Sequence, residues 1–224
     1  MDRNQKPRRP TDAHHSFIVG QNGGVKTAAA AYQFAWRSYD KMPWVVINYK
    51  GDDYLDQIPG ARDMNVNAPI PKEPGIYITR PEPFPGSVEK LLFNAIERER
   101  VGIYIDEGLN VGEHSKGLRL CLTQGRSKRV PLIFLSQRPC RLGVFPLSEA
   151  KFFQAFYLQA QNDRKTICEY MPMSVNAFDT LPEYHSFYYD SEKRRFATLG
   201  PVPFGDEVLD IFDRRRPRRF RGVK

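Results

Sequence analysis

The sequence predicts an α/β domain with a mainly parallel sheet covered by helices on both faces. Three observations carry that expectation. Short apolar runs recur along the 224 residues ("SFIVG" 16–20, "WVVIN" 44–48, "VGIYIDE" 101–107, "PLIFLSQ" 131–137), with the near-continuous hydrophobicity of strands buried on both faces. Helical stretches separate them, as crossovers between parallel strands require. Several runs also end in polar residues, and ligands of such sheets sit at the carboxyl ends of the strands. Apolar residues make up 41% of the chain and aromatics 12%, which is enough for one sizeable core.

The elements follow in order. "SFIVG" is the first strand, and residues 26–39, rich in alanine, form a helix. "WVVIN" is the second strand, closed by a Lys50-Gly51-Asp52 turn. Residues 59–86 are proline-rich loop with one brief strand at 76–79. Residues 87–100 form an amphipathic helix, with Ser87 as its expected N-cap. Strands at 101–107 and 131–137 flank a helical stretch. A strand at 152–158 precedes a helix over 161–171, and "HSFYYD" and "RRFATLG" around "SEK" make a C-terminal β-hairpin.

The glycine-rich segment Gly20, Gln21, Asn22, Gly23, Gly24, Val25, Lys26, Thr27 links the first strand to the first helix, as a phosphate-binding loop does. There, backbone N–H groups and a helix N-terminus favour anions, a lysine adds a point charge, and Thr27 can hold magnesium. Val25 stands where the usual pattern has glycine, and a β-branched residue would cost about 1–3 kcal/mol if the loop demanded positive φ there. Asp106, at the tip of an apolar strand, can hold the magnesium shell, and Glu107 beside it can polarise water. Gln137 ends a strand expected next to both of these. Arg126 lies on the connection before that strand, from which an arginine can reach a neighbouring subunit's nucleotide. For Arg138 both a phosphate contact and a structural salt bridge stay open.

Charge divides by position. Residues 1–10 carry a net +3 and residues 214–224 a net +7 without an acid, leaving the body at −2 of the formal +8. Arginine runs punctuated by proline cannot bury a core but can neutralise phosphates, so a polyanion partner is expected at the ends. The expected organisation is a basic arm (1–14), one domain (15–212) and a basic tail (213–224). No apolar run approaches a membrane span, and nothing resembles a signal peptide, so a soluble intracellular protein is expected. Cys121, Cys140 and Cys168 read as reduced thiols, and the four histidines lack metal-ligand spacing.

Taken together, "GQNGGVKT", "IYIDE", "GRSKRVPLIFLSQRP" and "NYKGDD" resemble the FtsK–HerA superfamily of DNA-pumping ATPases, and within it the genome-packaging ATPases of membrane-containing, double-jelly-roll viruses such as tectiviruses. The resemblance runs from about residue 16 to 200. It implies a three-layer P-loop NTPase fold of the RecA/ASCE-like kind and the cofactors ATP and Mg2+. In that reading Lys26 and Thr27 bind phosphates and magnesium, Asp106 holds the metal, Glu107 is the catalytic base, Gln137 the sensor and Arg126 a finger acting in trans, with Arg138 assisting. It also implies a pentameric or hexameric homo-oligomeric ring, double-stranded DNA and viral capsid or vertex proteins as partners, and a place at the packaging vertex of the virion and in the host cytoplasm during assembly. Two other readings compete: a non-hydrolysing DNA- or capsid-binding scaffold, which Val25 favours, and a small-molecule P-loop kinase, which Glu107 beside Asp106 disfavours.

Overall fold

The computed structural model describes residues 7–21, 25–203 and 205–215. Its strands are β1 (Ser16–Val19), β2 (Pro43–Asn48), β3 (Arg62–Asp63), β4 (Gly75–Thr79), β5 (Gly102–Asp106), β6 (Leu132–Ser136), β7 (Phe152–Ala155), β8 (Ser186–Asp190) and β9 (Arg195–Leu199). They form one sheet in the order β3-β4-β2-β5-β6-β1-β7-β8-β9. The first seven strands pair in parallel, and β8 and β9 close one edge as an antiparallel hairpin. The helices are α1 (Val25–Phe34), α2 (Asp53–Asp56), α3 (Glu89–Arg98), α4 (Lys116–Lys128), α5 (Val144–Ser148), α6 (Gln161–Tyr170) and α7 (Asp206–Arg215).

Successive strand residues point to opposite faces, so the buried strands feed two cores. Ile18, Val46, Tyr104 and Leu135 meet Ala29, Phe34, Leu55, Val208 and Phe212 of α1, α2 and α7 on one face. Phe17, Ile47, Ile105 and Phe134 meet Leu91, Leu118, Leu122 and Ile167 of α3, α4 and α6 on the other. Each such side chain contributes about 1.5–3 kcal/mol on burial, which makes the sheet a rigid base for the loops at its carboxyl end. At the opposite end His15 is buried between two backbone groups: its Nδ1 accepts from Leu132 N–H and its Nε2 donates to Leu122 C=O, each at 3.1 Å. Burial drives its pKa down to about 4, so the ring is neutral and ties β1 to α4 and β6.

Several elements differ from expectation. The helix expected over 26–39 stops at Phe34, because Arg215 donates to Ala35 C=O at 2.7 Å and Arg37 turns inward and is fully buried. Ser87 is not an N-cap. Val88 precedes α3 without a side-chain cap, and Ser87 Oγ lies 3.4 Å from Tyr49 Oη. The strand expected over 152–158 ends at Ala155. Helix α7 is an addition to the expected elements: it packs Phe212 on Phe34 and Tyr39 and extends through Arg215, so residues 213–215 are helical. Residues 1–6 and 216–224 lie outside the described residues.

Candidate active site

The strand order brings the chemistry together. Because β6 lies between β1 and β5, the loop after β1, the carboxylates after β5 and the polar end of β6 open together at the carboxyl end of the sheet. Gly20 is required there: a Cβ on it would stand 2.8 Å from Phe156 Cβ. Lys26 is buried in the first turn of α1 and donates to Gln21 C=O at 3.3 Å. Burial, reinforced by the Lys50 charge, holds its ammonium below the usual value, and Glu107 and Asp106 oppose that shift. Thr27 is half-buried beside it. Asn22, Gly23 and Gly24, expected to contact phosphate, lie outside the described residues. Val25 is the first residue of α1, with helical backbone and no positive φ, so the strain foreseen for it does not arise.

Asp106 is 2% exposed and its Oδ2 has no hydrogen-bond partner. Burial raises its pKa to about 6, with Lys50 pulling the other way. Glu107 has left-handed backbone (φ 58°), an uncommon conformation for this residue type that turns the chain sharply at the strand tip. Its Oε2 accepts from Lys50 Nζ at 2.7 Å and from Gln137 Nε2, and its Oε1 is buried without a donor. Gly108 allows the turn to lie flat, since a Cβ there would stand 2.0 Å from the Phe134 ring. Buried carboxylate oxygens without donors are costly. Two of them, one on Asp106 and one on Glu107, beside a buried ammonium form a donor set suited to a magnesium-bound phosphate chain. Thr27 and Asp106 are the residues that would hold the metal.

Lys50 was not singled out by the sequence, although it lies in the "NYKGDD" segment. Asn48, paired in register with Asp106, donates to Asp52 C=O and accepts from Asp52 N–H at 2.9 Å. That clasp closes the turn and holds Lys50 over Glu107. Arg138 takes the salt-bridge alternative, its Nε lying 2.7 Å from Asp163, which also accepts from Cys140 N–H. Arg126 is exposed on the last turn of α4, next to Gly125, which packs on His15. It therefore lies at the far end of the sheet from Lys26 and does not join the site of its own chain.

Two cavities adjoin Lys26 and Gln137. One, of about 510 Å³, is lined by Gln21, Val25, Lys26, Phe156, Tyr157, Pro182, Tyr184 and His185. Tyr157 and Tyr184 are 45% and 48% exposed, and Tyr184 also has positive φ (60°). The other, of about 380 Å³, is bounded by Gln21, Gln137, Arg138 and Gln159.

A lysine loop, a strand ending in paired carboxylates and a glutamine-bearing strand between them define a P-loop ATPase of the kind whose glutamate follows the metal-binding aspartate. No family model matches the chain. It is 37% identical over 222 residues to DNA packaging ATPase P9 of Enterobacteria phage PRD1, covering 95% of this chain and 97% of that protein, and it belongs to the family of that packaging ATPase. Among solved structures the fold is similar to the genome packaging NTPase B204 of Sulfolobus turreted icosahedral virus 2 in complex with AMPPCP (TM-score 0.67, 16% identity, 86% of this chain and all of that one). It is also similar to the B204 DNA-packaging ATPase of Sulfolobus turreted icosahedral virus (TM-score 0.69, 18% identity, 88% of this chain and all of that one). The pCW3 conjugation coupling protein TcpA is a more distant match (TM-score 0.62, 11% identity, 91% of this chain and 65% of that one).

Proposed function

We propose that this chain is the motor of a virus genome-packaging machine, coupling ATP hydrolysis to the movement of double-stranded DNA into a preformed capsid. The observation that carries the reading is the convergence of Lys26, Asp106, Glu107 and Gln137 at the carboxyl end of the sheet, in a chain related to a DNA packaging ATPase along nearly its whole length. Lys26 binds the β- and γ-phosphates. Thr27 and Asp106 would hold Mg2+, which would supply charge neutralisation on the phosphates. Glu107 accepts the proton of the attacking water at Oε1, the oxygen left without a donor, while Gln137 and Lys50 fix the carboxylate through Oε2. The water oxygen bonds to the γ-phosphorus as the bond to the ADP oxygen breaks, and a trans cation stabilises the spreading charge.

In this reading Arg126, remote from its own Lys26, acts on a neighbouring subunit's nucleotide, and the chain works as a ring. Double-stranded DNA and a capsid vertex are its partners, at the vertex of the virion and in the host cytoplasm during assembly. No described helix is long and apolar enough to cross a membrane.

The test is steady-state phosphate release with Mg2+ and ATP, with and without duplex DNA. Wild type should turn over faster with DNA. Glu107→Gln should bind nucleotide and not turn over, and Arg126→Ala subunits mixed into wild-type rings should depress activity more than in proportion to their share. A wild type that binds ATP yet releases no phosphate under any of these conditions would leave the scaffold reading in its place.

A further inference from the structure

Two surface features at opposite edges of the sheet are not used by the nucleotide site. The first is the loop after β4, the strand next to edge strand β3. Its residues 81–86 hold three prolines, one acid and no base, and Phe84 among them is 50% exposed. Proline fixes φ, Phe84 N–H donates to Glu82 C=O at 2.9 Å, and Ser87 N–H donates to Phe84 C=O at 3.2 Å, so the loop is stiff. Arg80 pins its base by pairing with Asp56 at 2.8 Å and Asp63 at 2.7 Å. Glu82 is exposed and has no ion pair among the described residues. The second feature is a cavity of about 170 Å³ lined by Tyr32, Gln33, Trp36, Tyr188 of β8, Leu199 of β9 and Pro10. That is about ten times the space one water needs, and its wall is mostly apolar. The Tyr188 hydroxyl donates to Arg8 C=O at 2.8 Å, whereas Gln33 Oε1 is buried without a donor. Arg9 is exposed beside the cavity, its guanidinium 4.0 Å from the Trp36 ring centroid and donating to Tyr32 Oη at 3.3 Å. Arg8 pairs with Asp190 and Glu192, but Arg9 has no acid among the described residues.

We propose that loop 81–86 of one subunit docks in this cavity on the next copy of the chain, with Phe84 entering the aromatic wall and Glu82 pairing with Arg9. The inference rests on the ring reading above and names its subunit contact. The match is one of shape and charge together: aromatic-lined grooves are the surfaces that take proline-rich segments, and an unpaired acid on the loop meets an unpaired guanidinium beside the cavity. A stiff loop also has little freedom left to lose on docking. Duplex DNA is the wrong guest for it, since its one charge is negative. The loop and the cavity are different patches, so each subunit offers one of each. Such a head-to-tail contact can close a ring, whereas a like-to-like contact stops at two.

The same loop abuts the residues that hold Glu107. A Cβ on Gly112 would stand 3.0 Å from Pro85 Cβ. Gly112 closes the short turn 108–111 that starts directly behind Glu107, whose C=O accepts from Asn110 N–H at 3.1 Å. On its other side Ser87 Oγ lies 3.4 Å from Tyr49 Oη, and Tyr49 precedes Lys50, the ion-pair partner of Glu107. Docking therefore bears both on the turn that carries the general base and on the lysine that positions it, so that the presence of a neighbour is felt at Glu107. Phe84 is in this sense a positioning residue.

Sedimentation velocity of the full chain with Mg2+ and a non-hydrolysable ATP analogue tests the contact. Wild type should assemble beyond the dimer. Phe84→Ala should need at least about tenfold more protein to assemble, the scale of losing an aromatic anchor. Glu82→Arg and Arg9→Glu should each weaken assembly, and the chain carrying both should recover it together with the ATP turnover that the single variants lose, a rescue that damage to the fold could not give. Phe84→Ala and Glu82→Arg change exposed side chains, and their Tm should stay within about 2 °C of wild type. Phe84→Ala mixed with Trp36→Ala, each keeping one intact patch, should form dimers and nothing larger. Assembly kept by every variant would overturn the contact and leave the ring reading standing. The same result with weaker duplex binding by Arg9→Glu alone would overturn it in favour of DNA beside the cavity. A wild type that stays monomeric or stops at two would overturn both the contact and the ring. Assembly that depends on these residues in a chain without ATP turnover would support the contact while removing the motor reading.

Discussion

Replacing Asp106 with asparagine should stabilise the protein while disabling it, and the structure fixes the sign and the size. The carboxylate is 2% exposed, Oδ2 lacks a donor, and burial lifts its pKa from 3.8 to about 6 against the pull of Lys50 and Lys26. A pKa raised by folding means that the native chain holds this proton more tightly than the unfolded one. The favourable contribution is therefore complete below about pH 4 and is lost as pH rises through about 6. At 1.36 kcal/mol per pK unit the ionised group costs the fold about 3 kcal/mol at pH 8, an order-of-magnitude figure. Asn keeps the shape and removes the charge, although its NH2 also needs a partner. Asp106→Asn should therefore gain about 2 kcal/mol at pH 8 in metal- and nucleotide-free protein, a Tm rise of roughly 4–8 °C for a chain of this size, and should match wild type near pH 4. Urea unfolding in EDTA at pH 4, 6 and 8 measures this. An Asn variant no more stable than wild type at pH 8 would refute the reasoning, because it would mean that the two lysines already neutralise the charge. Mg2+ with a non-hydrolysable ATP analogue should then reverse the order, stabilising wild type and not the variant.

Lys50→Ala should leave nucleotide affinity within about threefold and lower kcat by roughly 10²-fold, the usual scale for a misplaced acid–base group. Lys50→Arg should recover part of the loss, whereas equal activity of Lys50→Ala and wild type would deny the lysine a positioning role. Tyr184→Ala and Tyr157→Ala should weaken ATP binding by about 1–2 kcal/mol, the scale of base–aromatic stacking. Their affinity for inorganic triphosphate should not change, and parallel losses for both ligands in calorimetry would place the base elsewhere. Val25→Gly should lose about 1 kcal/mol of stability through helix propensity and the unfolded chain's added freedom, with turnover within about twofold of wild type. A large gain in turnover would show that the valine restrains the loop.

Much of this protein was legible in the sequence because the signals are local. Apolar runs of strand length, the alanine-rich helix and the glycine-rich stretch before Lys26 each depend on neighbours a few residues apart, and periodicity reports such neighbours. Asp106, Glu107 and Gln137 could be picked out because polar residues that end buried strands of a parallel sheet collect at its carboxyl end. Even α7 left a trace in Val208 and Phe212 at helical spacing, although the arginines after it read as the start of a tail.

The sequence by itself thus determined the layered α/β architecture and the chemistry at the strand tips, since both follow from hydrophobic pattern and residue type. Tertiary structure alone decided who meets whom. Lys50 reaches Glu107 because β2 lies beside β5, and the clasp by Asn48 turns the intervening loop back onto the strand tip. Arg138 is taken up by Asp163 on α6. Tyr184 and Tyr157 wall a cavity beside Lys26, and Arg9 and Arg215 close on Trp36 from opposite ends of the chain. These contacts join residues far apart in sequence, and they arise from strand order and from burial on two faces of one sheet, which no local pattern encodes.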